Sequence, residues 1–186
     1  DLPNKASVLL SLINPFESDK RDEMRPAPTH LWNPPFCGDM DLLIRKDGVW
    51  VHEGKPIKRR ELVKLFASIL CVASDGDYYL VSPQEKVRIR VEKYPFLIQE
   101  MDIVGEGRCQ SIYFTTNVGE KFQVTSENSL VMPSDEPLQQ PSIHVRDGLM
   151  AGICRTVYYR LADSVVVESS RLGLWSSGEF FSIGDQ

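Results

Sequence analysis

Two stretches of this chain read as copies of one unit, and that repetition constrains the fold more than any single motif. In the first, the amphipathic run Arg60-Glu61-Leu62-Val63-Lys64-Leu65-Phe66-Ala67 precedes Tyr78-Tyr79-Leu80-Val81. In the second, Arg146-Asp147-Gly148-Leu149-Met150-Ala151-Gly152 precedes Val157-Tyr158-Tyr159-Arg160-Leu161. Read this way, each helix is followed by a strand opening on paired tyrosines. A further echo relates Gly48-Val49-Trp50 and its following Gly54 to Gly173-Leu174-Trp175 and its following Gly178. Two related halves sharing an interface would leave a groove, a favoured place for ligands.

A chain of 186 residues suits one large domain or two small ones. Hydrophobic residues at 42% and charged residues at 25% place it among ordinary globular proteins. Apolar runs fall far short of the ~20 residues that cross a bilayer. The opening Asp1-Leu2-Pro3-Asn4-Lys5 lacks the basic start and long apolar stretch of a secretory signal. No membrane span and a cytoplasmic location are therefore expected. A net charge of −5 argues against general nucleic-acid binding, so any anion site must be local. Cys37, Cys71, Cys109 and Cys154 are widely spaced and form no C-x-x-C pair, which suits reduced, mostly buried thiols.

Along the chain, residues 5–14 fit a short helix capped by Asn4, and the proline-rich, charged stretch from Pro15 to Pro35 fits a linker arm. Met40 to Arg45 and Val49 to His52 form a predicted hairpin turning at Lys46-Asp47-Gly48. From Lys58 to Leu70, Leu62, Leu65, Phe66, Ile69 and Leu70 follow the stripe of a core-facing helix. Strands follow at 78–82, 86–91 and 96–103, then a hairpin at 109–116 and 121–125 turning at Asn117-Val118-Gly119. Pro133 to Pro137 reads as a loop. Ser142 caps a predicted helix reaching Cys154, and strands at 156–161, 165–168, 172–175 and 179–183 finish the chain. The fold class is α+β with mostly antiparallel sheet, few helices and a duplicated hairpin-helix-strand unit. The expected divisions are a helix and arm over 1–29, an N-terminal half over 30–104 and a C-terminal half over 105–186.

The alternation Lys86-Val87-Arg88-Ile89-Arg90-Val91 puts three cations on one face of a strand. Such a stripe receives phosphate or carboxylate through the arginine fork, or stands in a charge ladder with Glu100 and Asp102 on the next strand. Lys58-Arg59-Arg60 begins a helix, where cations and free N–H groups either hold an anion or simply splay into solvent. Cys37-Gly38-Asp39 with His144 supplies the residue types of a thiol nucleophile, base and orienter, but no spacing signature supports that chemistry, so no catalytic residue is assigned. His30, His52 and His144 are too scattered for a metal site, and no cofactor is expected. Gly105-Glu106-Gly107 is a turn, not a dinucleotide loop. Trp32, Trp50 and Trp175 either stack on a ligand or pack in cores and interfaces.

His30-Leu31-Trp32-Asn33-Pro34-Pro35-Phe36-Cys37-Gly38-Asp39-Met40-Asp41 resembles the bacterial domain-of-unknown-function family 1285. So do Asp47-Gly48-Val49-Trp50, Gly54-Lys55-Pro56-Ile57, the run from Tyr79 to Ile89, and His144-Val145-Arg146-Asp147-Gly148-Leu149. The resemblance covers nearly everything from His30 to Gly184. It implies a duplicated α+β fold whose C-terminal half is superficially like a pleckstrin-homology barrel, a nucleotide-like ligand between the halves, and a role in bacterial signal transduction, including oxidative stress. It implies no established activity. The combined expectation is a sensory module that holds a phosphorylated, nucleotide-like molecule through Lys86, Arg88 and Arg90. His144 and Arg146 would approach from the other half, Trp32 would stack on the base, and Arg59 and Asp39 would assist. The alternative is a protein–protein adaptor that uses strand edges and binds no small ligand.

Overall fold

Four hairpins close with two-residue turns whose central residues both have positive φ: Glu53-Gly54, Asp147-Gly148, Ser169-Ser170 and Ser177-Gly178. These turns match the right-handed twist of paired strands. They set much of the topology of the computed structural model, which describes residues 24–132 and 140–185. The helix expected at 5–14 and the loop expected at 133–137 lie outside the described residues.

The chain divides into two units between Lys93 and Tyr94. In the first, β1 (Phe36–Ile44), β2 (Trp50–His52) and β3 (Lys55–Pro56) precede helix α1 (Arg60–Ser68). Then come β4 (Leu70–Val72), β5 (Tyr78–Val81) and β6 (Lys86–Val91). The sheet order is β3-β2-β1-β6-β5-β4, antiparallel throughout except for the parallel β1–β6 pair. Leu42, Ile44, Trp50, Phe66, Leu80, Val87 and Ile89 are buried, with Trp50 and Phe66 stacked. The helical stripe is confirmed, although α1 stops at Ser68, whose hydroxyl turns back to donate to the Leu65 carbonyl.

The second unit opens with β7 (Phe96–Val104), β8 (Ser111–Thr116), β9 (Lys121–Gln123), β10 (Leu130–Val131), β11 (Ser142–Arg146) and β12 (Leu149–Ile153). They form a sheet ordered β10-β11-β12-β7-β8-β9 in which β12 and β7 are parallel. Helix α2 (Arg155–Asp163) packs on β7, and β13 (Val166–Glu168), β14 (Arg171–Ser176) and β15 (Glu179–Asp185) form a separate meander. Ser176 fastens that meander to the six-stranded sheet: its hydroxyl accepts from the Ile112 N–H and donates to the Val124 carbonyl. Because β7 belongs here, the expected boundary at residue 104 moves back to the Lys93–Tyr94 junction.

Two predicted elements exchange identity. The helix expected over 142–154 is the β11–β12 hairpin, and the strand expected over 156–161 is α2. Asp147 and Gly148 have φ of 47° and 79°, a turn that breaks a helix but closes a hairpin. Ile143 and Val145 are buried at strand spacing, whereas Val157 and Leu161 are buried at helix spacing. Gly152 sits in the sheet because a Cβ there would lie 2.8 Å from the Tyr94 ring. The two six-stranded sheets have the same order when β1 to β6 are set against β7 to β12, the parallel β1–β6 pair matching the parallel β7–β12 pair, so the β11–β12 hairpin stands where β5–β6 stands and α2 follows the repeated strands instead of matching α1.

Candidate functional site

The basic strand β6 alternates as its sequence predicts, with Val87 and Ile89 buried and Lys86, Arg88 and Arg90 on the opposite face. Its neighbour is β1, where Asp39 stands across from Arg88. Arg88 Nε donates to Asp39 Oδ1 at 2.7 Å and Nη2 donates to Oδ2 at 3.2 Å, a two-point fork. Its Nη1 donates to Asp77 Oδ2 at 3.0 Å from the turn between β4 and β5. The bonds to Asp39 and then Asp77 hold the Arg88 proton more tightly than in a free guanidinium. Arg90 Nη2 donates to Asp41 Oδ1 at 2.7 Å, and its remaining donors have no partner among the described residues.

The ladder expected with Glu100 and Asp102 does not form. Those residues lie on β7 in the other unit, where Asp102 accepts from Lys121 at 2.9 Å and its carboxyl is held below the usual range by that bond. The partners of the stripe are Asp39, Asp41 and Asp77. The first two share one face of β1 through their alternation, a pattern legible in the sequence as Asp39-Met40-Asp41.

Between the pairs Asp39–Arg88 and Leu43–Arg90 the β1–β6 register shifts, which breaks the ladder. A recess of about 670 Å³ is lined there by Asp39, Asp41, Asp77, Tyr78, Arg88 and Arg90 among others. Three carboxylates against two guanidinium groups leave one net negative charge around it. Asp77 is also set by its own turn, since its N–H donates to Asp75 Oδ1 at 2.8 Å. Burial pushes the Tyr78 phenol up, which keeps it a neutral donor.

The other expected residues lie elsewhere. Lys86 shares the strand, but its Nζ sits 4.1 Å from the centroid of the Tyr79 ring, which Phe36 also contacts edge-on. Trp32 ends a 3-10 turn (Thr29–Leu31), and Arg59 caps α1 without a side-chain cap bond. His144 and Arg146 are on β11. Both His144 nitrogens are engaged, Nδ1 with the Glu127 carbonyl and Nε2 with the Gly148 N–H, each at 3.0 Å. Arg146 Nε donates to Glu120 Oε1 at 2.9 Å, in a pair exposed by only 14% and 9%. Of the expected set, Arg88, Arg90 and Asp39 are thus brought together at the recess, and Asp41 and Asp77 are the additions. None of the four cysteines is in a disulfide, and Cys109 is exposed while the others are half-buried, so the expectation of mostly buried thiols is corrected. Among the described residues, no group of three or more His, Cys, Asp or Glu side chains is arranged to hold a metal ion, and no helix is long and apolar enough to cross a membrane.

The comparisons with known proteins follow the same division into two units. The N-terminal domain model of the domain of unknown function DUF1285 matches residues 27–94, and the C-terminal domain model matches residues 95–183. The chain belongs to the DUF1285 family. A crystal structure of a DUF1285 family protein from Silicibacter pomeroyi DSS-3 is 42% identical, with a TM-score of 0.81 over 95% of this chain and 94% of that one. A DUF1285 family protein from Shewanella baltica OS155 is 25% identical, with a TM-score of 0.54 over 67% of this chain and 91% of that one. No curated protein matches the chain.

Proposed function

We propose that this DUF1285 protein is a ligand-binding sensory module of bacterial signal transduction. It takes a small, nucleotide-like molecule with a phosphate at one end and hydroxyl or amino donors at the other. The observation that carries this reading is the recess on β1 and β6, where Arg90 keeps unused donors beside three carboxylates. A bare phosphate is poorly served, because Arg88 is already neutralised by Asp39 and Asp77 and the surround is net negative. A ligand that also donates hydrogen bonds turns those carboxylates into recognition groups, as a ribose or an exocyclic amine would. No catalytic role is assigned.

Thermal unfolding against nucleotides, nucleosides and inorganic phosphate tests this. A nucleotide at 100 times its dissociation constant adds ~2.7 kcal/mol and raises the midpoint, while phosphate alone does not. The shift disappears in Arg90→Ala. If no nucleotide shifts the midpoint, the reading fails and the adaptor reading replaces it. That second reading draws on strand β13, an edge of its meander, where Val166 and Val167 are 44% and 53% exposed.

A further inference from the structure

The His144 ring bridges two partners whose chemistry leaves no choice of tautomer. The Glu127 carbonyl only accepts, so Nδ1 carries the proton; the Gly148 N–H only donates, so Nε2 presents its lone pair. The bridged ring is therefore neutral. Glu127 belongs to the loop between β9 and β10, and Gly148 is the second central residue of the β11–β12 turn. The same loop is pinned to β11 a second time, through Asn128 Nδ2 to the His144 and Val145 carbonyls and through the His144 N–H to the Ser129 carbonyl. One imidazole thus ties the tip of a hairpin to a neighbouring loop at a half-exposed position that solvent protons reach.

We propose that His144 is a protonation-controlled latch on the β11–β12 hairpin, closed when the ring is neutral and released when it becomes imidazolium. Adding a proton to Nε2 sets an N–H against the Gly148 N–H, and the bond becomes a repulsion. The titratable and charged neighbours define the released state. Asp147 lies in the same turn and Glu127 in the loop, and both are exposed. Arg146 is committed to Glu120, so it neither takes over the role of His144 nor leaves with it. Release frees the Asp147-Gly148 tip, while Asn128 and the Arg146–Glu120 pair keep the strands in place.

The test is amide hydrogen exchange of the full chain at about pH 5 and about pH 7.5, on either side of the free imidazole value near 6.5, with rates referred to the intrinsic rate at each pH. Protection of the Gly148 amide falls about tenfold at the lower pH, while the Ile112 amide, bonded to Ser176, keeps its protection. His144→Gln, which has no titrating ring, abolishes the pH dependence at Gly148. Equal protection at both pH values, or a pH dependence that survives in His144→Gln, overturns the latch. Nitrogen-15 spectra of the wild-type imidazole give a reading that needs no variant. They show the Nδ1–H tautomer at the higher pH, and an Nε2–H tautomer there overturns the proposal.

Discussion

Each unit pairs arginine with carboxylate, but in opposite surroundings. Around β6, Arg88 and Arg90 meet Asp39, Asp41 and Asp77 at the surface, where the Arg88 and Asp39 side chains are 42% and 66% exposed. In the second unit Arg146 meets Glu120 almost out of water, and Glu120 Oε2 is buried with no hydrogen-bond partner among the described residues. Water competes for the first set and hardly touches the second. The same chemistry is therefore exchangeable in one place, as a ligand site requires, and structural in the other. The contrast also explains why counting cations in the sequence did not separate Arg90 from Arg146.

The largest effect is expected from Arg146→Ala, which leaves a buried carboxylate with neither its ion-pair partner nor a bond to Oε2. Unfolding in urea should show a loss of about 3 kcal/mol or more. A loss below about 1 kcal/mol would put the pair in the same class as the surface ladder. The next test concerns pH. Burial raises the Glu120 carboxyl above its usual range, against the pull of Arg146. A folded-state value above the unfolded one means that its contribution is most favourable below the unfolded value of about 4.3 and is lost as pH rises through the folded value. Relative to Glu120→Gln, the wild type should therefore lose stability as pH rises through that window, read from urea midpoints. A flat difference would mean that Arg146 fully offsets the burial. The smallest effect on folding is expected from Arg88→Ala, within about 1 kcal/mol, because its partners are solvated. The same change should weaken any ligand shift, which would separate binding from stability at the recess.

Much of the first unit was legible in local patterns. The alternation of β6, the apolar stripe of α1 and the Asp47-Gly48 turn each specify their element through periodicity or a required φ. The second unit misled because Arg146 to Gly152 carries apolar residues close enough together to fit either period. The decisive signal was Asp147-Gly148, a dipeptide suited to a two-residue hairpin turn with positive φ at both positions. In the two copies, strand order sets β11–β12 against β5–β6, and α2 follows the last shared strand instead of matching α1. Aligning the copies on the tyrosine pairs placed a helix on a strand. At the recess, Arg88 was legible on the outward face of its strand and Asp39 as a candidate, but their pairing was not, because the sequence does not say that β1 joins β6 in parallel.

The sequence by itself determined the α+β class, most element positions in the first half and the basic face of β6, because each depends on neighbours within a few residues. Tertiary structure alone decided what that face meets. Strand order put Asp39 and Asp41 beside Arg88 and Arg90, a turn delivered Asp77, and Lys86 went to the Tyr79 ring. Burial in the other sheet turned Arg146 and Glu120 into a structural pair. Charge is written residue by residue, but whether it is spent on water, on a partner or on a ligand depends on long-range pairing and on the solvent it leaves exposed.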